Sequence, residues 1–575
     1  MTDYDVVIIG GGINGLTVAG YLAKAGLSVG VFEARGQCGA HCDTVELGLP
    51  GFLHNLHATW LATSLSPAMV DLDLEGFGLE LRGTDVLYAK PFLNGKNFLQ
   101  ASNIPLTLDS AARLSDRDHQ TVIKTTEYLG AHLNDLLYVT KNMYFTAPNP
   151  EVWGKAVDLV DGFSKYIDLG VSGLDLVNGN GFDLLELLFD SEEIRTTLAS
   201  LSWIGAHAPV HRRVATNMLW SIMVAAMPVH TARGGSHALT HSLVKAVAAN
   251  GGEIWTTCPV EKIIVENGRA CGIKLAPDAL LPSEEIRAKV VVSNLTLVPT
   301  FLRLLGEDAI GDKWARQIES FSYDDSVLFG VYYSLSGDPE FASAEYDPGI
   351  QRAMMGYWGG ETLADMQTYA GNLASGIVSS DIMGNWFVPS RADPTQAPHG
   401  CATSFVWMDV PPCPRRWGNT KLRGWDAWPE LAQPLADAIT DRYEQYAPGF
   451  KELILERFVM TPMDQQNNNP SAVRGNMFGG SVNPEQYYNY RPQPGIVVNG
   501  NSRSFFPGLY LSNSTHPGGA SWLASGMIAA HEIAQDLGCR EQPWWIAEPY
   551  QYFMEQGWRL PVNMGVSPKW LPPED

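Results

Sequence analysis

Gly10, Gly12 and Gly15, in the run Gly10-Gly11-Gly12-Ile13-Asn14-Gly15, have the G-x-G-x-x-G spacing that suits a backbone turn to a pyrophosphate. Gly10 permits a tight turn, Gly12 lets the backbone approach phosphate, and Gly15 lets a following helix pack closely on its strand. Eighteen residues beyond Gly15 stands Glu33, an acid placed to accept hydrogen bonds from the hydroxyls of a ribose. An acid there repels the 2′-phosphate of NADP but does not separate NAD from FAD.

The elements around these residues fall in the order such a site needs. Residues 4–9 (YDVVII) form an apolar run, β-branched at four positions, which predicts a strand buried on both faces of a parallel sheet. After the glycines, LTVAGYLAKAG has helical apolar spacing, and residues 28–32 read as a second strand ending at Glu33. The helix N-terminus would turn free N–H groups and its positive dipole end toward phosphates. Further segments belong with these. Residues 234–248 read as a glycine turn and an amphipathic helix, followed by strand-like EIWTTC, VEKIIVE and RACGIKL, with a hairpin signal at Asn267-Gly268. EIRAKVVVSN gives another strand, ending at Ser293-Asn294. Near the C-terminus a short strand at 508–511 leads through Ser512-Asn513-Ser514-Thr515-His516-Pro517-Gly518-Gly519-Ala520 into a helix over 521–537, a second helix N-terminus beside a glycine-rich loop.

Together these segments resemble the phytoene desaturase branch of the FAD-dependent amine-oxidase-like flavoproteins, most closely the carotene-ketolase type and related dehydrogenases. The resemblance runs over roughly residues 4 to 537. It rests on the opening fingerprint, GGSHALTHSL, GGEIWTTCPVEKIIVENGRACGIKL and GLYLSNSTHPGGASWLASGMIAAHEIA. It implies an α/β fold in which a Rossmann-type FAD-binding domain is built from discontinuous segments and joined to an α+β substrate domain. The expected segments are 1–75, 225–310 and 495–540 for the FAD-binding domain, 76–224 and 311–494 for the substrate cap, and 541–575 for an aromatic tail. It also implies FAD bound without a covalent link. Gly10, Gly12, Gly15 and Glu33 would hold the pyrophosphate and AMP side, and Val260 matches the strand position whose backbone meets the adenine. Thr515, Pro517, Gly518, Gly519 and Ala520 would lie beside the isoalloxazine ring. No second G-x-G-x-x-G follows a strand, so reoxidation by oxygen, a quinone or another external acceptor is expected rather than by bound NAD.

Two departures from the family stand out. Where it carries a Gly-Gly-Arg-like stretch after the ribose-binding acid, this chain has Cys38-Gly39-Ala40-His41-Cys42, and Asn513 stands where a glycine normally sits. A neutral imidazole at His41 replaces the arginine's charge only weakly near pH 7. His41, His54 and His57 fall in the segment expected near the flavin, and His516 in the turn at the ring itself. His516, His41 and His57 are therefore the candidate catalytic side chains, each with a backbone-satisfied histidine as its plain alternative. His207 and His211 fall in the predicted substrate region. Cys38 and Cys42 are read as buried small hydrophobes, with a flavin link or redox thiol as the alternative.

The first cap block, 76–224, is helical in pattern, and LLELLFDSEEIRTTLASLSWIGAH carries i, i+3, i+4, i+7 apolar spacing. The second opens with strand-like SVLFGVYYSLSG and later has SFVWMDVPP and helix-like LADAITDRYEQYA. Tyr323, Tyr332, Tyr333, Trp358, Trp386, Phe387, Phe405 and Trp407 make it rich in aromatics, which read either as core or as the wall of an apolar tunnel. Residues 391–400 and 464–471 are predicted to be exposed loops. The tail, with Trp544, Trp545, Tyr550, Tyr552, Phe553, Trp558 and Trp570, is expected to wrap its own domain or a neighbouring protomer, which makes a homo-oligomer through it an expectation.

Composition sets the outer limits. The 575 residues predict about three to four domain-sized units. Hydrophobic residues at 45% against 18% charged exclude a globally disordered chain. A net charge of −23 argues against a nucleic-acid partner. The seven cysteines are scattered and never spaced C-x-x-C, so neither a disulfide framework nor a metal site is expected, and a reducing, cytoplasmic setting fits. The apolar run at 218–229 is too short to span a bilayer, which leaves peripheral membrane contact as the alternative. The functional expectation is an FAD-dependent oxidoreductase that removes hydride from an apolar isoprenoid, lipid-like or aromatic substrate. The rivals are an amine or amino-acid oxidase, a redox-neutral flavin isomerase, and a non-catalytic relative of the escort proteins that bind prenylated partners.

Overall fold

A strand whose side chains are apolar in both directions needs neighbours on both edges and cover on both faces. Tyr4–Ile9 finds both in the computed structural model, which describes residues 3–146, 149–204, 230–323, 326–481, 486, 491–498, 502–513 and 523–545. It runs parallel to Val29–Phe32 on one side and to Glu285–Ser293 on the other, with Ile9 level with Phe32 and Ser293. Leu509–Leu511 extends the sheet beyond Glu285–Ser293, again in parallel, with Leu511 paired to Ser293. The carboxyl ends of these four strands therefore share one edge, where ligands bind in open α/β sheets. Val260–Glu266 and Arg269–Leu275 complete that side as an antiparallel hairpin, and Glu253–Trp255 closes the other beside Val29–Phe32. The hairpin turns at Asn267-Gly268, both at positive φ (51° and 71°), as the sequence predicts.

The helix Ile13–Lys24 lies between two others, His237–Ala249 and Ala524–Asp536, and eleven of its twelve residues are buried. Its contact with the last helix is tight enough to require glycine at 526, where a Cβ would fall 2.3 Å from the Asn14 carbonyl. Asn14 Oδ1 also accepts from Gly526 N at 2.9 Å, so chain segments 512 residues apart are locked together. Beside them, Tyr21 packs against Trp545 with ring centroids 4.8 Å apart, and Trp545 stacks on Trp544. The beginning of the aromatic tail thus folds onto its own domain. Tyr550, Tyr552, Phe553, Trp558 and Trp570 lie outside the described residues.

The second core is built on a seven-stranded, mainly antiparallel sheet. It includes Val327–Leu335 and Ala402–Val410 from the predicted strands, and also a hairpin, Val86–Pro91 with Asn97–Ala101, in a block that reads as helical by sequence. Strand alternation sorts its aromatics. Tyr333 points to the helix Trp428–Tyr446, where it meets Tyr443, while Tyr332 points the other way, toward Phe405 and the Leu56 carbonyl. Trp358, Trp386 and Tyr333 are fully buried core on the helix side, so for these three the tunnel reading gives way to packing.

LLELLFDSEEIRTTLASLSWI is helical, as its spacing predicts, in two helices, Gly181–Leu188 and Glu192–Ile204, between which buried Asp118 accepts from the N–H groups of Asp190 (2.7 Å) and Ser191 (2.8 Å). One further expectation is corrected. Residues 464–471 are not a simple exposed loop. Pro462–Asn468 is a helix started by a reciprocal capping box between Thr461 and Asp464, and Gln465 is buried with Nε2 donating to the Leu328 carbonyl. Among the described residues no helix is long and apolar enough to cross a membrane, and residues 218–229 lie outside them.

Candidate dinucleotide-binding site

At the carboxyl edge of the first sheet the chain leaves Ile9 and turns sharply at Gly10, whose φ of +94° is left-handed backbone that favours glycine. A Cβ on Gly15 would stand 2.4 Å from the Gly10 carbonyl, so close packing of helix on turn is what requires that glycine. At Gly12 a Cβ would meet Asn294 Nδ2 at 2.8 Å. The middle glycine is thus needed for a protein neighbour as well as for an open approach. The helix starts at Ile13, with Gly12 at its N-cap supplying no side-chain cap and no acid in its first turn, which leaves its amino end and dipole available to an anion.

Glu33 ends the second strand, 8% exposed, and burial pushes its carboxyl pKa up. Gly11 N donates to Glu33 Oε2 (2.7 Å) and Arg35 N to Oε1 (2.8 Å), which fixes the carboxylate at the mouth of the turn with lone pairs to spare. The Glu33 carbonyl accepts from Cys258 N at 2.8 Å, so Val260, two residues on, is held near the acid. Val260 opens the edge strand of the sheet. Gly10, Gly12, Gly15 and Glu33 are therefore brought together at one edge, and Val260 is tied to it only through the Cys258–Glu33 backbone bond. Thr515, His516, Pro517, Gly518, Gly519 and Ala520 lie outside the described residues, as do His207 and His211.

The Cys38–Cys42 stretch runs alongside the turn. Gly39 N donates to the Gly11 carbonyl at 3.0 Å, Gly39 has φ +129°, and Ala40 has φ +51°, a left-handed conformation at a non-glycine residue. Burial pushes the Cys38 and Cys42 thiols up to about 12, so neither forms a thiolate near neutrality. Both are free and buried, the setting that the buried-hydrophobe reading describes. His41 packs edge-on against His57, ring centroids 4.6 Å apart. Burial pushes His41 down to about 4 and His57 well below the ordinary histidine range, so both are neutral near pH 7. Asn469 Nδ2 lies 3.2 Å from His41 Nε2, whereas both ring nitrogens of His57 are buried without a partner. His54 is drawn away, its Nε2 3.1 Å from Ser334 Oγ in the cap.

Two residues at this edge have no sequence expectation attached to them. Asn294 follows the strand Glu285–Ser293. Its Nδ2 lies 3.4 Å from the Gly10 carbonyl, its Oδ1 accepts from Ser512 Oγ at 3.1 Å, and its carbonyl accepts from Asn513 Nδ2 at 3.2 Å. Asn513, where the family carries glycine, is thereby anchored to the opening turn. Arg35 pairs with buried Asp43 at 2.5 Å through Nη2 and has its Nη1 buried with no partner. An uncapped helix end, glycines a Cβ would obstruct, a buried ribose-height acid and a cation with an open donor fit an adenine dinucleotide.

The comparisons agree with this geometry. Residues 8–72 match the NAD(P)-binding Rossmann-like domain family. The chain is similar to one of the protein components of limonene dehydrogenase from Castellaniella defragrans, 27% identical with 94% of this chain and 96% of that protein covered. It is also similar to a lycopene-forming phytoene desaturase of Pseudescherichia vulneris, 29% identical over 53% of this chain and 56% of that one. A solved structure of a putrescine oxidase variant covers 94% of this chain and 99% of its own at 13% identity and a TM-score of 0.54, a likeness of fold.

Proposed function

We propose that this chain, a member of the phytoene desaturase-like branch of the FAD-dependent amine-oxidase-like superfamily, is an FAD-dependent oxidoreductase that removes hydride from an apolar substrate. The observation that carries the reading is the edge where the Gly10–Gly15 turn and Glu33 meet, in a chain whose relatives include a dehydrogenase and a desaturase. FAD, when bound, supplies the hydride acceptor. The chain's own work is to bind, orient and exclude water. The amino end of Ile13–Lys24 offers N–H groups to the pyrophosphate, Glu33 accepts from the ribose, and the Val260 backbone takes the adenine. Thr515, Pro517, Gly518, Gly519 and Ala520 are proposed to flank the isoalloxazine.

An apolar isoprenoid, lipid-like or aromatic substrate is favoured by the relatives, a limonene dehydrogenase component and a phytoene desaturase, while Tyr332, Phe387 and Phe405 are buried in the core of the second sheet. Phe387 and Phe405 stack at 4.3 Å, Tyr332 lies 5.5 Å from Phe405, and the Tyr332 hydroxyl reaches Leu56 in the segment shared with His54 and His57. His41, His57 and His516 are proposed for any proton transfer. Neutral imidazoles at 41 and 57 are the form that accepts a proton. We also propose reoxidation by oxygen, a quinone or another external acceptor, and a cytoplasmic setting, with peripheral membrane contact and self-association through the tail as the alternatives.

Anaerobic bleaching of the bound flavin by carotenoids, terpenoids, aromatic alcohols and amines, followed by oxygen, tests the reading. Bleaching by an apolar hydrocarbon or alcohol is expected. Bleaching by amines alone would transfer the chain to the amine oxidases, whose fold it shares.

A further inference from the structure

His57 is a polar ring with nothing to bind, set among neighbours that are all tied down. It is 1% exposed, and among the described residues neither ring nitrogen has a hydrogen-bond partner. A buried polar atom left in that state is uncommon, and it persists where the surrounding structure imposes it. The residues on either side impose it here. Leu56 N donates to the Asp43 carbonyl at 3.1 Å and Ala58 N to the His41 carbonyl at 2.9 Å, so the backbone is pinned before and after the ring. From the second sheet, the Tyr332 hydroxyl donates to the Leu56 carbonyl. One residue further out, Asn55 Nδ2 donates to Thr59 Oγ1 at 2.6 Å, which closes a loop with His57 at its centre.

Asn55 anchors that loop to the rest of the fold. Its Nδ2 also donates to Gln396 Oε1 at 2.9 Å, in the chain between the strands Gly384–Phe387 and Ala402–Val410 of the second sheet. Its Oδ1 accepts from Thr44 Oγ1 at 2.7 Å and from Ser236 N at 2.8 Å, just before the helix His237–Ala249. Both protons and both lone pairs of a fully buried carboxamide are therefore in use. The second glycine of GGSHALTHSL is explained by the same contact. Gly235 has φ +95°, and a Cβ there would fall 2.4 Å from the Thr44 side chain and 2.8 Å from Asn55 Oδ1.

We infer that Asn55 is a positioning residue that, through Thr59, holds the His57 imidazole unpartnered and away from water, as a base kept ready for a substrate proton. The inference rests on the reading of His57 as a proton acceptor given above. Burial weighs most against charging the ring, the His41 ring and Arg35 add to it, and Asp43 acts the other way. Opening the loop to water should thus restore the ring's affinity for a proton. An asparagine with a merely structural role, once removed, would lower stability and leave the titration of His57 alone.

The test is the titration of His57 by nuclear magnetic resonance in full-length, cofactor-free protein with isotope-labelled histidine, the signal being assigned by its loss in His57→Gln. In the unaltered protein His57 should stay neutral from about pH 8 to about pH 5, the span in which an ordinary histidine charges. Asn55→Ala should raise its proton affinity about tenfold or more, a shift of about one pH unit. Thr59→Val should act in the same direction and add little in the Asn55→Ala background. An unchanged titration in folded Asn55→Ala, effects of the two substitutions that add in full, or ordinary charging of His57 in the unaltered protein would each overturn the inference. Should Asn55→Ala not fold, Thr59→Val decides: a shift supports the assignment and none contradicts it. Substrate-driven flavin bleaching whose pH dependence survives His57→Gln would instead overturn the proton-transfer reading.

Discussion

Ser512 donates to the side-chain oxygen of Asn294 at 3.1 Å, across 218 positions of sequence. The same carboxamide faces the Gly10 carbonyl at 3.4 Å, so one side chain links the turn that opens the fold to the strand end that precedes the late glycine-rich loop. A residue that belongs to neither segment thus ties the opening turn to the end of Leu509–Leu511.

Asn294→Ala is therefore expected to cost about 1–2 kcal/mol, because it leaves a buried hydroxyl and carbonyl short of a partner. FAD affinity should fall with it. Denaturant unfolding of the cofactor-free protein gives the first quantity and equilibrium dialysis against FAD the second.

Gly15→Ala is expected to be worse for binding than for folding. Its Cβ would sit 2.4 Å from the Gly10 carbonyl, so the helix must move away from the turn, an overpacking penalty of about 1–3 kcal/mol. The displaced amino end should leave the purified protein with a sharply reduced flavin-to-protein ratio, measurable by absorption.

Glu33 should reveal a conflict between binding and stability. Burial raises its carboxyl pKa in the folded chain above the unfolded value. Its stabilising contribution is then present below the unfolded pKa and is lost as pH rises through the folded one. Glu33→Gln should make the cofactor-free protein more stable at neutral pH and weaken FAD binding, as thermal unfolding and FAD titration would record.

His54 gives the opposite sign. Its pKa falls to about 4 on burial from an ordinary value of 6.5. The stability tied to its neutral form is present above pH 6.5 and disappears as pH falls toward 4, a change of roughly 3 kcal/mol. Chemical denaturation across that window should show the loss, and His54→Phe should flatten it.

Ala40 holds φ +51° without being glycine. Ala40→Gly should relieve about 1 kcal/mol of left-handed strain. A higher denaturant midpoint with unchanged slope would be the sign of it.

What could be read in the sequence was what is local. Strand, glycine turn, helix, strand and Glu33 follow one another within the first 33 residues, and each shows its own signal. The hairpin at Asn267-Gly268 was legible for the same reason. Asn294 and the Arg35–Asp43 pair were not, since an asparagine after a strand or an arginine in a turn gains meaning only from partners that the fold brings near. The asparagines at 467–469 look like loop, and they hide the Thr461–Asp464 capping box that starts a helix and places Asn469 against His41. The aromatics were ambiguous because strand alternation sends Tyr332 and Tyr333 to opposite faces, one toward Leu56 and one into the core. His516 and the turn around it fall outside the described residues.

The most direct test of the account is the colour and FAD stoichiometry of the purified full-length protein, compared with Gly15→Ala. The account predicts a yellow protein with flavin absorption bands that holds close to one FAD per chain, and a variant that has largely lost it. A colourless, folded protein that takes up no added FAD would contradict it.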